Sequence, residues 1–250
     1  MLCIHGFTDT WRTWDLVLER LERHNDVLAP TLAGHAGGPP LVGEADERIL
    51  LEELERQMDE AGFETARIVG NSLGGYLALH LAARGRAESV VALAPAGGWA
   101  VGDESYRETM SYFSRMRELL IEAAPNADQI LATDAGRRRA TIEITTRYKH
   151  IPPELLAHQI RGVADCTGAP ALIERALQHG WWLDAEAIRC PVRVIWGTAD
   201  RILPWPSAAM RYRDHWLAQA DWVVLDDVGH CPQLDIPLET SELILGFQNG

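Results

Sequence analysis

The chain has 250 residues, of which 47% are hydrophobic, and this length and composition are sufficient for one large buried core. Its formal net charge of −13 and pI near 5.1 argue against nucleic acid or an anionic membrane as a partner, because phosphate groups would be repelled. No apolar stretch is long enough to cross a bilayer, and the first residues lack the charged start and long apolar run of a signal peptide. We therefore expect a globular, soluble, cytoplasmic protein without membrane insertion.

Six short apolar runs have the length and composition of strands buried in a parallel sheet. They span residues 2–4, 27–29, 66–69, 90–94, 192–196 and 222–225. Apolar stripes at helical spacing predict two amphipathic helices between them. These stripes are Trp14, Val17, Leu18 and Leu21 in the first helix and Leu50, Leu54 and Met58 in the second. The alternation predicts an α/β fold with a doubly wound, mostly parallel sheet of about six strands, in which the run at 27–29 forms an edge.

A long segment without comparable strand patterns interrupts this alternation between Gly97 and Ile188. Helical patterns occupy it instead, notably at 105–123 and 153–160. We interpret residues 98–188 as a helical cap, or lid, inserted before the penultimate strand of a core formed by residues 1–97 and 189–250. One apolar stripe in the cap has the spacing to line a substrate pocket, although such stripes are more often ordinary packing. The candidate lining residues are Tyr106, Met110, Phe113 and Met116, together with Trp181.

The run from Arg67 to His80 joins a strand pattern, a sharp turn and a helix pattern around the hydroxyl of Ser72. Its sequence reads Arg-Ile-Val-Gly-Asn-Ser-Leu-Gly-Gly-Tyr-Leu-Ala-Leu-His. A G-x-S-x-G motif alone is a weak signal, but here an apolar strand ends at the serine and glycines flank it. Because glycines relieve crowding at a strained strand-to-helix turn, the run predicts a nucleophile elbow.

A serine hydroxyl needs a base to take its proton, and a histidine base needs an acid to fix its tautomer. His230 follows the last predicted strand, and Asp200 follows the one before it. Both therefore lie at carboxyl ends of strands, where open α/β sheets place their sites. Asp226 and Asp227 are alternative acids because they precede His230 closely in sequence. The order Ser72, Asp200, His230 favours a triad with each member after a different strand.

The elbow at Ser72, the GTAD segment ending at Asp200 and the GH segment ending at His230 together resemble the α/β-hydrolase superfamily. The resemblance covers nearly the whole chain and is to the lid-bearing serine esterases and lipases. It implies that Ser72 is the nucleophile, His230 the general base and Asp200 its orienting acid.

The resemblance also implies an oxyanion hole, which would stabilise the negative charge that develops on the substrate oxygen. Family members carry an HG segment after an early strand, and His5-Gly6-Phe7 matches it. The two donors would be the backbone N–H groups of Phe7 and Leu73. His35, in a segment similar to the PxLxGH of family members, is expected to brace the oxyanion loop, and His5 is assigned a structural role.

Two departures from the family pattern bear on this interpretation. Family members have two strands before the one that ends in HG, so either these residues precede Met1 in a longer protein or the sheet is shorter. Serine at position 72 argues against the epoxide hydrolase and haloalkane dehalogenase branches, which use aspartate there.

We therefore expect a serine hydrolase that cleaves small-molecule carboxylic esters through an acyl-enzyme. One alternative is a carbon–carbon bond hydrolase of ring-cleavage products, in which GNSxGG also occurs, although the glycine-proline-glycine stretch typical after HG is missing. Another is a ligand-binding protein on the same fold. The scattered cysteines and histidines lack metal-ligand spacing, so no metal and no cofactor is expected. The sequence leaves open the acyl group, the alcohol and the oligomeric state.

Overall fold

A parallel five-stranded sheet forms the centre of the protein in the computed structural model, which describes residues 1–43 and 45–247. The strands are β1 (Leu2–Ile4), β2 (Ala66–Asn71), β3 (Ala87–Leu93), β4 (Val192–Gly197) and β5 (Asp221–Leu225). Their order across the sheet is the same as their order in the chain, and every neighbouring pair is parallel. The predicted α/β fold with a parallel sheet is confirmed.

The described residues form ten α-helices, five of which lie in the segment between β3 and β4. They are α1 (Asp15–Glu22), α2 (Glu47–Glu60), α3 (Leu73–Ala83), α4 (Tyr106–Ala123), α5 (Ala127–Leu131), α6 (Asp134–Thr141), α7 (Pro153–Ala164), α8 (Ala169–His179), α9 (Pro232–Asp235) and α10 (Pro237–Phe247). Short 3₁₀ turns cover Trp11–Trp14, Ala124–Asn126, Ala185–Ala187 and Ser207–Ala209, and a π-helical turn covers Tyr212–Trp216.

Helix α2 shows how local sequence sets an element. The Asp46 carboxylate accepts a hydrogen bond from the Ile49 N–H at 2.9 Å and so satisfies one of the free donors at the helix start. The predicted stripe of Leu50, Leu54 and Met58 is fully buried. Gly62 follows the helix with a φ of 77°, a left-handed conformation that glycine adopts without a steric cost.

The two faces of the sheet carry separate apolar clusters, as expected for a doubly wound fold. On one face, Trp14, Val17 and Leu21 of the first helical segment pack with Ile244 of α10. On the other face, the α2 stripe packs with the largely apolar helix α3. Because α3 is buried along nearly its whole length, the turn that leads into it is held rigidly.

Two predictions about strands are corrected. The run at 27–29 is not a strand but a single bridge, in which Leu28 exchanges backbone hydrogen bonds with Met1 and Cys3. Pro30 follows at once and has no N–H to extend the pairing. The run at 222–225 was predicted to be buried, yet β5 is the far edge of the sheet and Val224 is 43% exposed.

Helices α4 to α8 occupy the segment between β3 and β4, and no strand interrupts them among the described residues. Helix α4 packs against α7 and α8. A third apolar cluster joins Leu131, Leu155 and Leu156 to Cys231 and Leu234, which lie after β5. The inserted helices therefore share a core with the segment that contains His230.

Within residues 1–43 and 45–247, no helix combines the length and the apolar character needed to span a membrane.

The turn from β2 into α3 passes so close to its neighbours that it has no space for side chains at two positions. A Cβ atom on Gly74 would lie 2.1 Å from the carbonyl oxygen of Ile4, and one on Gly70 would lie 2.2 Å from the carbonyl oxygen of Gly74. Both are contacts with backbone atoms, which cannot move aside as a side chain can. Glycine at these positions allows α3 to begin directly against β1 and β2.

We predict that Gly74→Ala destabilises the protein by at least ~2 kcal/mol, because the added methyl group overpacks a buried backbone contact. Gly246→Ala is the matched control, since nothing lies within 4 Å of a Cβ built at that helical position. It should be neutral or stabilising by up to about 1 kcal/mol. Urea unfolding followed by circular dichroism measures both variants, and equal stability of the two would contradict the argument.

Candidate active site

Ser72 sits at the sharp turn between β2 and α3. Its backbone has φ 57° and ψ −118°, a conformation that costs a non-glycine residue on the order of 1–3 kcal/mol. Hydrogen bonds on both sides hold it there: the Ser72 N–H donates to the Leu93 carbonyl at 2.9 Å, and the Ala96 N–H donates to the Ser72 carbonyl at 3.0 Å. The residue is 5% exposed. This is the strained turn that the sequence predicts for a nucleophile elbow.

His230 and Asp200 form a buried pair beyond the ends of β5 and β4. His230 Nδ1 and Asp200 Oδ2 lie 2.8 Å apart, and the two side chains are 6% and 0% exposed. The other carboxylate oxygen of Asp200 accepts hydrogen bonds from the backbone N–H groups of Ile202 at 2.9 Å and Leu203 at 2.8 Å. With Nδ1 engaged by a carboxylate, Nε2 is the imidazole nitrogen available for proton transfer.

The two alternative acids lie elsewhere. The Asp226 carboxylate accepts a hydrogen bond from the Thr198 hydroxyl at 3.1 Å, and the Asp227 carboxylate pairs with Arg147 at 3.2 Å. Both aspartates are exposed. The structure therefore brings Asp200, and neither neighbour, to His230.

Two cavities meet at Ser72. The larger has a volume of about 630 Å³, and its wall includes both Ser72 and His230. The smaller, of about 70 Å³, is bounded by Ser72, Leu73, Trp99 and other largely apolar residues. Phe7 and Phe113 contribute to both walls. Ser72 therefore borders both cavities, with His230 in the wall of the larger and Leu73 in the wall of the smaller.

The loop after β1 presents Phe7 to the site and is braced by two histidines. His5 bridges the loop through Nε2, which accepts from the Leu32 N–H at 2.9 Å, and through Nδ1, which donates to the Gly6 carbonyl at 2.7 Å. The rings of His35 and Phe7 pack edge to face at 6.0 Å. Burial lowers the pKa of His5 well below its usual range and that of His35 to about 4, so both are neutral near pH 7.

Leu73 is the first residue of α3, and the first N–H groups of a helix have no partner within the helix. Its backbone N–H therefore lies beside Ser72 at the positive end of the helix dipole, where negative charge is favoured. Phe7 and Leu73 both line the smaller cavity next to Ser72. Both residues of the expected oxyanion hole therefore border the same cavity as Ser72.

Sequence reasoning missed a buried amide network that ties the elbow to the His230 loop. The Asn71 side chain donates to the His230 carbonyl at 3.0 Å and to the Leu93 carbonyl at 3.1 Å. Its oxygen accepts from the Gln233 amide at 3.1 Å, and the same amide reaches the hydroxyl of Thr13 at 3.1 Å. The position of Asn71 beside the serine in the elbow motif indicated a role in the site. Nothing in the spacing of the sequence, however, indicates its contact with His230, which is 159 residues away.

Asp235 is a second residue that sequence reasoning missed. Its buried carboxylate accepts from the Gly229 N–H at 2.7 Å and from the backbone N–H groups of Thr146 and Arg147 at 3.0 and 2.6 Å. One carboxylate therefore joins the loop before His230 to the helical insertion. Charge-assisted hydrogen bonds of this kind are roughly twice as strong as neutral ones.

The five residues proposed for the pocket fall into four groups. Met110 and Trp181 line the smaller cavity, Met116 lines the larger, and Phe113 lines both. Tyr106 is in neither wall, and its ring packs at 6.0 Å against that of Trp99, which lines the smaller cavity. The stripe on α4 thus combines pocket lining with ordinary packing.

Asp9 contributes a carboxyl group to the larger cavity. One carboxylate oxygen accepts from the Thr10 N–H at 2.8 Å, and the other accepts from the Gln159 amide at 3.3 Å. Burial raises the pKa of Asp9 from 3.8 to about 6, in spite of these hydrogen bonds. In the part of the chain that the structure describes, no three His, Cys, Asp or Glu side chains are grouped so as to hold a metal ion.

Three features together define the class of α/β hydrolases: a parallel sheet flanked by helices, a serine on a strained turn after one strand, and a histidine–aspartate pair after later strands. The chain belongs to the alpha/beta hydrolase family, whose profile matches residues 1–243, and it is an enzyme of that family. It is 34% identical over 199 residues to epoxide hydrolase EphH of Mycobacterium tuberculosis, an alignment that covers 80% of this chain and 93% of that protein.

Two other comparisons widen the range of chemistry among similar proteins. The chain is 27% identical over 256 residues to the 2-hydroxymuconate semialdehyde hydrolase of a Pseudomonas species, covering 99% of this chain and 86% of that one. A solved structure of a thermophilic esterase from Thermogutta terrifontis superposes with a TM-score of 0.71 at 20% identity, covering 99% of this chain and 88% of the esterase. That likeness establishes the fold.

We predict that Asp200→Asn lowers kcat by about 10⁴, because an amide at this position favours the wrong imidazole tautomer and cannot stabilise the imidazolium. Asp226→Asn is the matched control, since its carboxylate faces Thr198 instead of His230. It should keep most of the activity. Steady-state kinetics on an ester substrate measures both, and a nearly unchanged kcat in Asp200→Asn would remove this residue from the acid role.

We predict a pH-dependent contribution of Asp9 to stability. Its carboxyl pKa is about 6 in the folded protein and 3.8 when unperturbed, so the folded state binds the proton more tightly. Stability from this group is therefore fully present below about pH 4 and is lost as the pH rises to 6. Between about pH 4 and pH 7 the free energy of unfolding of the parent should therefore decrease by on the order of 2 kcal/mol more than that of Asp9→Asn, which has no carboxyl group at this position. Parallel pH profiles for the two proteins would contradict this assignment.

Proposed function

We propose that the protein is a serine hydrolase of carboxylic esters. The observation that carries this proposal is the shared cavity, which exposes the strained Ser72 and the His230 that is paired with Asp200 to one substrate space. A nucleophile, a base and an acid that orients the base are the groups that acyl transfer requires.

In this mechanism Nε2 of His230 takes the proton of the Ser72 hydroxyl as the oxygen attacks the ester carbonyl carbon. The backbone N–H groups of Phe7 and Leu73 stabilise the negative oxygen of the tetrahedral intermediate. His230 then gives its proton to the departing alkoxide, which leaves an acyl-enzyme on Ser72. A water molecule, activated by the same histidine, releases the carboxylic acid and restores the serine.

The helical insertion supplies the substrate-covering part of the site in this proposal. We assign residues 98–188 to a cap and residues 1–97 and 189–250 to the catalytic core. Helix α4 gives the smaller cavity Met110 and the larger one Met116, and Phe113 stands between them. The apolar side chains that α4 contributes to these walls favour uncharged esters of small molecules as substrates.

Epoxide hydrolysis, the reaction named for the mycobacterial relative, is less well supported by this site. An alkoxide from Ser72 that opened an epoxide would form an ether, which water does not cleave under the conditions of an enzyme. A carboxylate nucleophile would instead form an ester that can be hydrolysed. Serine at the elbow therefore favours acyl transfer over epoxide opening.

Carbon–carbon bond hydrolysis is a second candidate, because the larger cavity includes polar groups that acyl transfer does not need. Asp9, Gln159 and Arg139 contribute to its wall, and the Gln159 side-chain oxygen is buried without a hydrogen-bond partner among the described residues. Such groups suit a substrate with charged ends. The Pseudomonas relative bears the name of this chemistry.

We predict that Ser72→Ala lowers kcat for nitrophenyl esters of short to medium acyl length by at least about a thousandfold, because the reaction loses its nucleophile. A fluorophosphonate probe should label the parent and not this variant. Ser114→Ala, on the inserted helix α4, is the matched control and should be labelled like the parent.

The same assay separates the candidate reactions. The proposal requires kcat/KM for the nitrophenyl esters to exceed that for a ring-cleavage dienol acid and for a styrene-type epoxide. Turnover of the dienol acid or the epoxide with negligible ester hydrolysis would overturn it. Labelling that persisted in Ser72→Ala would move the nucleophile to another residue.

A further inference from the structure

The two cavities at Ser72 differ in their relation to His230. Both include Ser72, Phe7 and Phe113 in their walls. His230 belongs to the wall of the larger cavity, together with Cys231 that follows it. Leu73, one of the two expected oxyanion donors, belongs to the wall of the smaller one. The site therefore has a histidine side and a side without the histidine.

This asymmetry decides which part of an ester enters which cavity. In the tetrahedral intermediate the acyl carbon carries the serine oxygen, the oxyanion, the acyl chain and the alcohol oxygen. The oxyanion is held by backbone N–H groups, and the alcohol oxygen must lie within hydrogen-bond reach of the histidine that protonates it. The alcohol therefore extends into the cavity that His230 lines, and the acyl chain is left with the other cavity.

The two cavities also differ in size by about a factor of nine, at 630 and 70 Å³. A water-sized group needs roughly 10–15 Å³ by the same measure, so the smaller cavity has room for about five such groups. Besides Ser72, its wall includes the polar residues Glu47, Thr109 and Arg175, and the rest is mostly aromatic and apolar. The aromatic part is closely packed: Trp181 packs on Tyr76 at 5.0 Å and on Trp99 at 6.0 Å. A Cβ atom on Gly97 would lie 3.0 Å from the Trp181 ring, so this ring is also held from behind.

We infer that the enzyme is selective for esters of short acyl groups with bulky alcohols, with the acyl group in the smaller cavity and the alcohol in the larger. This inference rests on the proposed ester hydrolysis and adds the orientation of the substrate. Three side chains of α4 would determine this selectivity: Met110 limits the size of the acyl group, Met116 contacts the alcohol, and Phe113 separates the two cavities. The Phe113 ring is held in this place by an edge-to-face contact with Phe7 at 5.0 Å.

We test the orientation first with two isomeric esters of equal size and composition. Octyl acetate has a short acyl group and a long alcohol, and ethyl octanoate has the reverse. The inference requires kcat/KM for octyl acetate to exceed that for ethyl octanoate by at least about tenfold, which corresponds to the low end of discrimination by a close-fitting apolar pocket. Equal values or a preference for ethyl octanoate would overturn it.

A matched pair of substitutions on α4 then locates the selectivity. Met110→Ala should raise the ratio of kcat/KM for nitrophenyl octanoate to that for nitrophenyl butyrate about tenfold, because it enlarges the smaller cavity. Met116→Ala removes the same atoms from the wall of the larger cavity and should leave this acyl ratio unchanged. It should instead alter the ratio of kcat/KM for octyl acetate to that for ethyl acetate. The opposite pattern would reverse the orientation.

The outcomes distinguish this inference from the proposed function. If no ester is hydrolysed and the fluorophosphonate probe does not label Ser72, ester hydrolysis itself fails, and the inference fails with it. If esters are hydrolysed and Ser72 is labelled but ethyl octanoate is preferred, only the orientation is wrong. The comparison of the two isomers uses the parent enzyme, so the inference stays falsifiable even if Met110→Ala does not fold.

Discussion

The close approach of α3 to the two strands beside it is the constraint on which the site depends. Without Cβ atoms at Gly70 and Gly74, the first turn of the helix lies directly on the backbone of β1 and β2. Because β2 ends at Asn71 and α3 begins at Leu73, the backbone must change direction at Ser72 alone, which therefore has a positive φ. The strain at the serine is balanced by the burial of nearly every residue of α3, so the helix cannot relax away from the sheet.

A buried polar network extends from this turn to the loops that complete the site. Asn71 connects the elbow to the backbone at His230, and Asp200 holds the imidazole ring of that residue. The loop of Phe7 is fixed separately, through the bridging His5. Each loop reaches Ser72 from a different strand, and each is held by a hydrogen bond to another part of the site. Positions fixed in this way before substrate arrives are what electrostatic stabilisation of a transition state requires.

The sequence predicts the site best where the reactive residue and the residues that shape its backbone are neighbours in the chain. The glycines, the apolar strand and the helix pattern around Ser72 all describe one short turn, and the strand positions of Asp200 and His230 follow from the order of elements. It was less informative where distant segments meet. The single bridge at Leu28 depends on Pro30 and on the position of β1, and the exposure of Val224 depends on β5 being an edge.

The same limit explains the site residues that pattern reasoning missed or misplaced. Asn71 and Asp235 bond to backbone groups, and a backbone partner leaves no trace in the identities of the residues that carry it. Tyr106 has the same helical spacing as its pocket-lining neighbours, but it meets Trp99 at the end of α4 instead of open space. Periodicity identifies the buried face of a helix and does not say which part of that face borders a cavity.

The Asp235 carboxylate links the segment beside the wall of the larger cavity to the loop that carries His230. The Cys231 N–H donates to the Ile144 carbonyl at 2.9 Å, and Gly229 packs so closely on Thr145 that a Cβ atom would lie 2.8 Å from its Cα. Residues 144–147 are thus held to both sides of His230. A motion that widened the larger cavity at Ile144 would therefore displace the imidazole of His230 as well.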